Sequence, residues 1–258
     1  MYPDFNPNEK IYSDLKLVAK GAVGEVYSAI NQKLNIKVAL KRLQPQFLYD
    51  QAEVNKIKAE AKILTKLNHP HCVKLMSTYF SETEILLELE WIEGGSLESH
   101  LKSSPFLEIE ARNWIQQLMD IVKDLQQNQI IHGDLQPKNI LLQQEKAMLI
   151  DFSSSVEMCP DQDYYPFHGT PRAYQMKLQN AQKQIHRYHD YQTLGLLFYE
   201  MLTGKKIFNS PNSLTHFIET WNFNADSFLK HFHFSQESGE LLRALITCTQ
   251  TGQHPVYR

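Results

Sequence analysis

Along residues 13 to 42, aliphatic and β-branched side chains alternate with polar ones, and glycine or asparagine interrupts the run at intervals. A period of two between such breaks predicts three short strands. A helix is expected next, from about Asp50 to Leu67, closed by "NHP", and "CVKLMSTYF" and "EILLELEWI" predict two further strands. Together these predict a five-stranded antiparallel sheet with one helix. After "EGGS" the character changes. "LEIEARNWIQQLMDIVKDLQQ" has helical spacing, and "YHDYQTLGLLFYEMLTG" is apolar nearly all round, as a helix buried in a core is. The pattern predicts an α+β chain whose β-rich front and helical back meet near Gly94 and Gly95. No internal repeat or low-complexity tract is visible.

A chain of 258 residues can bury a large core and suits one large domain or two lobes in one folding unit. Hydrophobic residues make up 42%, charged residues 21%, and the formal net charge is -3, so nothing marks the chain as disordered, collagenous or membrane-spanning. Its 26 Lys and Arg are scattered among 29 Asp and Glu, which weighs against nucleic acid as a partner. Cys72, Cys159 and Cys248 lie far apart with no CxxC, which suits a reducing compartment. The stretch "MYPDFNPNEK" lacks a basic region followed by an apolar one, so no secretory signal is visible and a cytoplasmic location is the expectation. Oligomeric state is not readable.

Chemistry-bearing residues cluster at three places. In "NILLQQEKAMLID" two apolar segments flank a polar stretch, which reads as a hairpin with its turn centred near Glu145. Asn139 and Asp151 are then expected roughly opposite each other, with Cβ atoms about 5 Å apart. A carboxylate beside an amide oxygen can hold Mg²⁺, which prefers hard oxygen ligands, and Asp134 in the preceding loop is expected to face the same place. In "AKGAVGEV", Gly21 and Gly24 lie between two strands, where a backbone free of Cβ obstruction can approach phosphates, although such a pair alone more often marks an ordinary hairpin turn. In "KVALK", Ala39 and Lys41 share a strand face. The following helix carries Ile57, Ala61, Leu64 and Leu67 on one stripe with Glu60 inside it. An inward carboxylate needs a partner, and Lys41 is the candidate; the alternative is a solvated lysine with a helix-edge glutamate.

In order along nearly the whole chain, these residues resemble the eukaryotic-type protein kinases. "GAVGEVY" resembles the glycine-rich loop, "VALK" the strand-three lysine motif, and "EAKILTKLNHPHCVKL" the helix C glutamate with its following strand. "LELEWIEGGSL" is similar to the hinge, "IIHGDLQPKNILL" to the catalytic loop and "DFS" to the metal-binding DFG. "GTP" resembles the substrate-docking loop and "DYQTLGLLFYEMLTGKKIF" the buried helix F. The resemblance implies a bilobal kinase fold over residues 1–258: a small five-stranded antiparallel β lobe with helix C at about 11–92, a hinge at about 90–95, and a larger, mostly α-helical lobe at about 96–258.

It also implies roles. Lys41 contacts the α and β phosphates of ATP and Glu60 holds it, Asp134 is the base that accepts the substrate hydroxyl proton, and Asn139 and Asp151 hold Mg²⁺ or Mn²⁺. Ala19, Gly21 and Gly24 belong to the phosphate loop. Glu90 and Ile92 offer backbone groups to adenine, Leu89 is the gatekeeper, and Val26, Ala39 and Leu141 sandwich the ring. Leu64, Leu75, His132 and Phe152 form the regulatory spine, anchored by Asp190. Protein Ser or Thr hydroxyls are the implied acceptors.

Departures from the family pattern qualify this. Ala19 replaces the first loop glycine, and Gly133 replaces the arginine that receives an activation-loop phosphate, which implies activity without that switch. Gln136 replaces a lysine that neutralises the transferred phosphoryl group, and Lys138 stands where many tyrosine kinases carry a compensating arginine. Ser153 replaces the DFG glycine, and "RAYQMK" and "TGQHP" lack both halves of a lobe-bracing ion pair. "HGDLQPKN" also resembles the loop of small-molecule kinases such as aminoglycoside phosphotransferases; "GTP", with Thr170 near the base, favours protein substrates. A nucleotide-binding pseudokinase scaffold is the other alternative. Eroded regulatory motifs resemble those of diverged bacterial kinases, some acting in a host cytosol, and are equally readable as protist or viral.

Of the remaining features, His231 and His233 could suggest metal, but a structural loop is the simpler expectation. Ser153, Ser154, Ser155, Tyr164 and Tyr165 are candidate phosphorylation sites, and the aromatics of "DYYPF" are expected to pack the segment.

Overall fold

The computed structural model describes residues 11–166, 184–208, 224–230 and 234–251. The chain divides into two compact units, Met1–Glu93 and Gly94–Arg258. The expectations for Thr170, for "RAYQMK", for His231 and His233 and for "TGQHP" beyond Thr251 fall on residues outside those described.

The first unit contains one five-stranded antiparallel sheet of order β1-β2-β3-β5-β4, formed by β1 (Tyr12–Lys20), β2 (Gly24–Asn31), β3 (Ile36–Leu43), β4 (Leu75–Phe80) and β5 (Ile85–Glu90). Cross-strand pairing fixes which residues share a face. Ala19 pairs with Val26, Val26 with Lys41, and Lys41 with Leu87. In the next row Ser28 pairs with Ala39, Ala39 with Leu89, and Leu89 with Leu75. The opposite face packs Ala29, Val38, Leu40 and Leu86 into a core with Tyr12 and Tyr27 against it. Helix α1 (Gln51–Lys66) buries Val54, Ile57, Glu60, Ala61, Ile63 and Leu64. Its bounds are one residue inside the sequence expectation at each end. Asp50 is the N-cap, its carboxylate accepting from the amides of Ala52 and Glu53, and Leu67 is the C-cap with extended backbone.

In the second unit, the helices α2 (Leu97–Leu101), α3 (Glu108–Gln127), α4 (His189–Thr203), α5 (Ala225–Leu229) and α6 (Gln236–Thr251) accompany short strands. Thirteen of the fifteen α4 residues, His189 to Met201, are buried, as its all-apolar pattern predicts. Helix α6 comes so close that a Cβ on Gly195 of α4 would lie 2.9 Å from Ile246 Cγ1, which explains a glycine inside a core helix. Strands β6 (Gly95–Ser96), β8 (Ile140–Gln143) and β9 (Lys146–Leu149) form a three-stranded sheet. Between α3 and β8 lie β7 (Ile130–Ile131) and a loop ending in the 3₁₀ turn Pro137–Asn139. Strand β10 (Val156–Glu157) pairs with β7, and β11 (Tyr164–Pro166) pairs with β12 (Gln184–His186). Among the described residues, no helix is long and apolar enough to cross a membrane.

Candidate active site

In the first unit, β3 and α1 bring Lys41 and Glu60 together. Lys41 Nζ lies 2.7 Å from Glu60 Oε1, with side-chain exposures of 17% and 2%. A charge this buried is tolerable only with a partner, so the pair specifies where the lysine head sits. Val26 is the cross-strand partner of Lys41, and Ala39 shares its face with Leu89. The turn between β1 and β2 is tied down: Gly21 N donates to Gly24 O at 2.8 Å, Gln44 N to Val23 O at 2.9 Å, and Gln44 Nε2 to Gly21 O at 2.8 Å. Neither Gly21 nor Gly24 has a positive φ, so their value there is the missing Cβ and not an unusual backbone angle. Glu90 N and its carboxylate both bond the backbone of Lys74, at 3.0 and 2.8 Å, while Ile92 is buried.

This unit also holds buried charge that the sequence reading missed. Glu88 accepts from Tyr12 Oη and from Asn31 Nδ2, both at 2.7 Å. Arg42 Nε lies 3.2 Å from Glu84 Oε1. Burial, aided by Glu88, pushes the Tyr12 phenol above its usual range, and burial raises Glu84 against the opposing pull of Arg42. The signal available was a glutamate in the middle of the apolar run "ILLELE".

In the second unit, the loop from Ile131 to Asn139 is hung from α4. Asp190, in the first turn of that helix, accepts from His132 N at 2.6 Å and Gly133 N at 3.0 Å. Asp134 N donates to His132 Nδ1 at 3.3 Å, so Nε2 carries the ring proton and donates to Ile150 O at 3.3 Å. The His132 ring meets Phe152 edge-on with centroids 4.8 Å apart. Leu64 and Leu75, grouped with them in the sequence reading, belong to the first unit. Gly133 has φ +76°, and a Cβ there would lie 2.9 Å from Ser154 O. The residue that departs from the family arginine is therefore the residue its backbone demands.

Asp134, Gln136 and Asn139 form one hydrogen-bonded group. Gln136 Nε2 donates to Asp134 Oδ2 at 2.7 Å, and Asn139 Nδ2 donates to Asp134 O at 2.9 Å and to Oδ2 at 3.2 Å. With its NH₂ turned to Asp134, Asn139 has its amide oxygen as the group available to a cation.

The hairpin register corrects one expectation. Gln143 pairs with Lys146 and Ile140 with Leu149, so the centre falls between Gln144 and Glu145. Ile150 N donates to Asn139 O at 3.0 Å, which makes Ile150, not Asp151, the partner of Asn139. The shift of one residue follows from a two-residue turn in which Gln144 adopts φ 55°. Asp151 lies one step beyond in the left-handed region, φ 63°, and Ser153 Oγ donates to its Oδ1 at 2.8 Å.

Asn139 and Asp151 supply one amide oxygen and one carboxylate, a donor set that suits Mg²⁺ with waters or phosphate oxygens in its other positions. Among the described residues, no group of three or more His, Cys, Asp or Glu gathers to hold a metal. Lys138 is exposed on the 3₁₀ turn, and among the described residues it forms no ion pair. Leu141 lies on β8, paired with Ser96 and Met148. Of the hydroxyls read as phosphorylation candidates, Ser154 is buried, Ser155 Oγ donates to His132 O at 3.1 Å, and Tyr165 is buried against Ile131, Met158 and Ile185.

A sheet with a lysine paired to a helix glutamate, followed by a helical unit whose catalytic-type loop hangs from a buried aspartate, defines a protein kinase fold. The protein kinase domain family matches residues 12–251, and the chain belongs to that family. It is 31% identical over 196 residues to the serine/threonine-protein kinase AtPK1/AtPK6 of Arabidopsis thaliana, covering 75% of this chain and 42% of that protein. It is 32% identical over 208 residues to the mouse serine/threonine-protein kinase Sgk2, covering 78% of this chain and 56% of that protein. Protein kinase 2 of Dictyostelium discoideum is 28% identical over 235 residues, 90% of this chain and 48% of that protein. The chain spans about half the length of these relatives. The family in general uses ATP and a divalent metal.

Proposed function

We propose that this chain is an ATP-dependent protein kinase that phosphorylates Ser or Thr hydroxyls of protein substrates. The observation that carries the reading is the Asp134 carboxylate held by two side-chain amides in a loop suspended from Asp190. The relatives bearing serine/threonine-kinase names support the acceptor class. Asp134 takes the proton as the hydroxyl oxygen bonds to the γ-phosphorus, while the bond to the β,γ-bridging oxygen breaks and ADP leaves with that electron pair. Lys41, held by Glu60, binds the α and β phosphates, and the turn at Gly21 and Gly24 offers backbone N–H groups to them. Val26, Ala39, Leu89, Glu90 and Ile92 line the adenine position. Asn139 and Asp151 hold the divalent cation, which when bound offsets charge developing on the phosphate oxygens. Lys138 supplies the positive charge lost at position 136.

The three free cysteines and the use of ATP support a cytosolic setting for the reaction. The test is transfer of labelled phosphate from ATP to a generic protein substrate or to the chain itself, compared with Asp134→Asn and Lys41→Ala. Incorporation by the unaltered chain that both substitutions abolish is expected. Equal incorporation by all three, or stabilisation by nucleotide with no turnover under Mg²⁺ or Mn²⁺, overturns the reading.

A further inference from the structure

We propose that Gln136 is a positioning residue for the base Asp134, and so does not substitute for the phosphoryl-contacting lysine whose place it takes. The inference rests on the reading of Asp134 as the base. Gln136 is 9% exposed and extended, with φ -154° and ψ 158°, immediately before the 3₁₀ turn Pro137–Asn139. Its backbone carbonyl accepts from Asn139 N at 2.9 Å, while its side-chain Nε2 donates to Asp134 Oδ2 at 2.7 Å. Asn139 Nδ2 reaches the same oxygen at 3.2 Å. Asp134, Gln136 and Asn139 are thus closed into a ring of hydrogen bonds, with Pro137 restricting the backbone inside it.

Two amide donors converging on one carboxylate oxygen fix both the rotamer and the plane of that carboxylate. A base needs that orientation, because proton transfer requires an acceptor oxygen within hydrogen-bond reach of the substrate hydroxyl. Side-chain length separates the two roles. A lysine has an aliphatic stem of four carbons ending in an ammonium, whereas glutamine places a neutral amide two carbons out. The shorter side chain bonds the aspartate two residues before it. The departure from the family pattern thus brings a geometric function in place of an electrostatic one.

The test uses Gln136→Met, which keeps length and apolar volume without a donor, and Gln136→Glu, which keeps the shape and turns an acceptor towards the carboxylate. Each is compared with the unaltered chain for kcat, for KM of ATP and of peptide, and for the ratio of rates with ATP and with its γ-thio analogue. The expected result is a fall in kcat of roughly 10- to 100-fold for the Met variant, as for an ångström-scale misplacement of a reacting group, and at least as much for Glu. Both KM values are expected to stay within about twofold and the thio ratio to hold, because the lost contact is to the base and not to the phosphoryl group. Unchanged kcat in both variants overturns the inference while leaving the kinase reading intact. A thio ratio that shifts with the substitution overturns it in favour of direct phosphoryl contact. Absence of turnover by the unaltered chain fails the kinase reading itself, and this inference with it. Melting temperatures identify a variant that has not folded, and in that case the other substitution decides.

Discussion

The two units hold their central charged groups by different means. In the first, Lys41 is held by an opposite charge, the nearly inaccessible carboxylate of Glu60 at 2.7 Å. In the second, Asp134 is held by the neutral amides of Gln136 and Asn139. The difference follows from what each group is proposed to do. A lysine that binds an anion remains charged throughout, so a buried counter-ion is compatible with its work. A carboxylate that must accept a proton would be bound to a neighbouring cation, whereas an amide orients it without competing for its charge. Breaking a buried ion pair strands a charge, while removing a neutral donor forfeits one hydrogen bond.

The strongest challenge removes the charged groups themselves. Asp134→Asn is expected to lower kcat by about 10²- to 10⁴-fold, and Lys41→Ala is expected to abolish transfer, both read as phosphate incorporation with folding checked by thermal melting. Next comes the contrast in stability. Glu60→Gln is expected to cost about 3 kcal/mol in urea unfolding, because Lys41 loses its counter-charge. Gln136→Met is expected to cost about 1–2 kcal/mol, and equal losses for the two would erase the distinction drawn here.

A third prediction concerns the backbone beneath Asp134. Gly133→Ala must place a Cβ 2.9 Å from Ser154 O at φ +76°, which is expected to cost about 1–3 kcal/mol. Gly239→Ala in α6, where an added Cβ meets nothing within 4 Å, is expected to stabilise by about 0.5–1 kcal/mol and serves as the control.

A fourth prediction concerns pH dependence. Burial lowers the pKa of His189 below the usual histidine value, against the opposing carboxylates of Asp190 and Asp134. Burial lowers His186 as well, with Asp163 opposing and Arg187 assisting. The unfolded chain therefore binds more protons than the folded one below about pH 6.5. Stability from these groups is complete above that value and is lost as the pH falls, by at most about 1.4 kcal/mol per pH unit for each proton. Melting curves between pH 8 and 5 check this, and a steeper slope in His189→Gln than in the unaltered chain would contradict it.

Much of the fold was legible because it depends on local period. The alternation in "KVALK" put Ala39 and Lys41 on one face, and the stripe of α1 turned Glu60 inward, so a contact across 19 residues was foreseeable from two short patterns. Hairpin register was less legible, since one residue in the turn moved the partner of Asn139 from Asp151 to Ile150. Gln136 was readable as a missing lysine but not as a bond to Asp134, because composition records the lost charge and not the direction of an amide. Glu88 gave only its unexpected position in an apolar strand, since its partners Tyr12 and Asn31 are 76 and 57 residues away.

By itself, the amino-acid order determined the strands and helices, the inward glutamate and the family motifs, because side-chain period and turn residues act over a few neighbours. Tertiary structure alone decided that Gly133 must be a glycine, that Asp190 bears the loop amides and that Gln136 clasps Asp134. Those outcomes depend on directions and close approaches that exist only once distant backbone segments have packed.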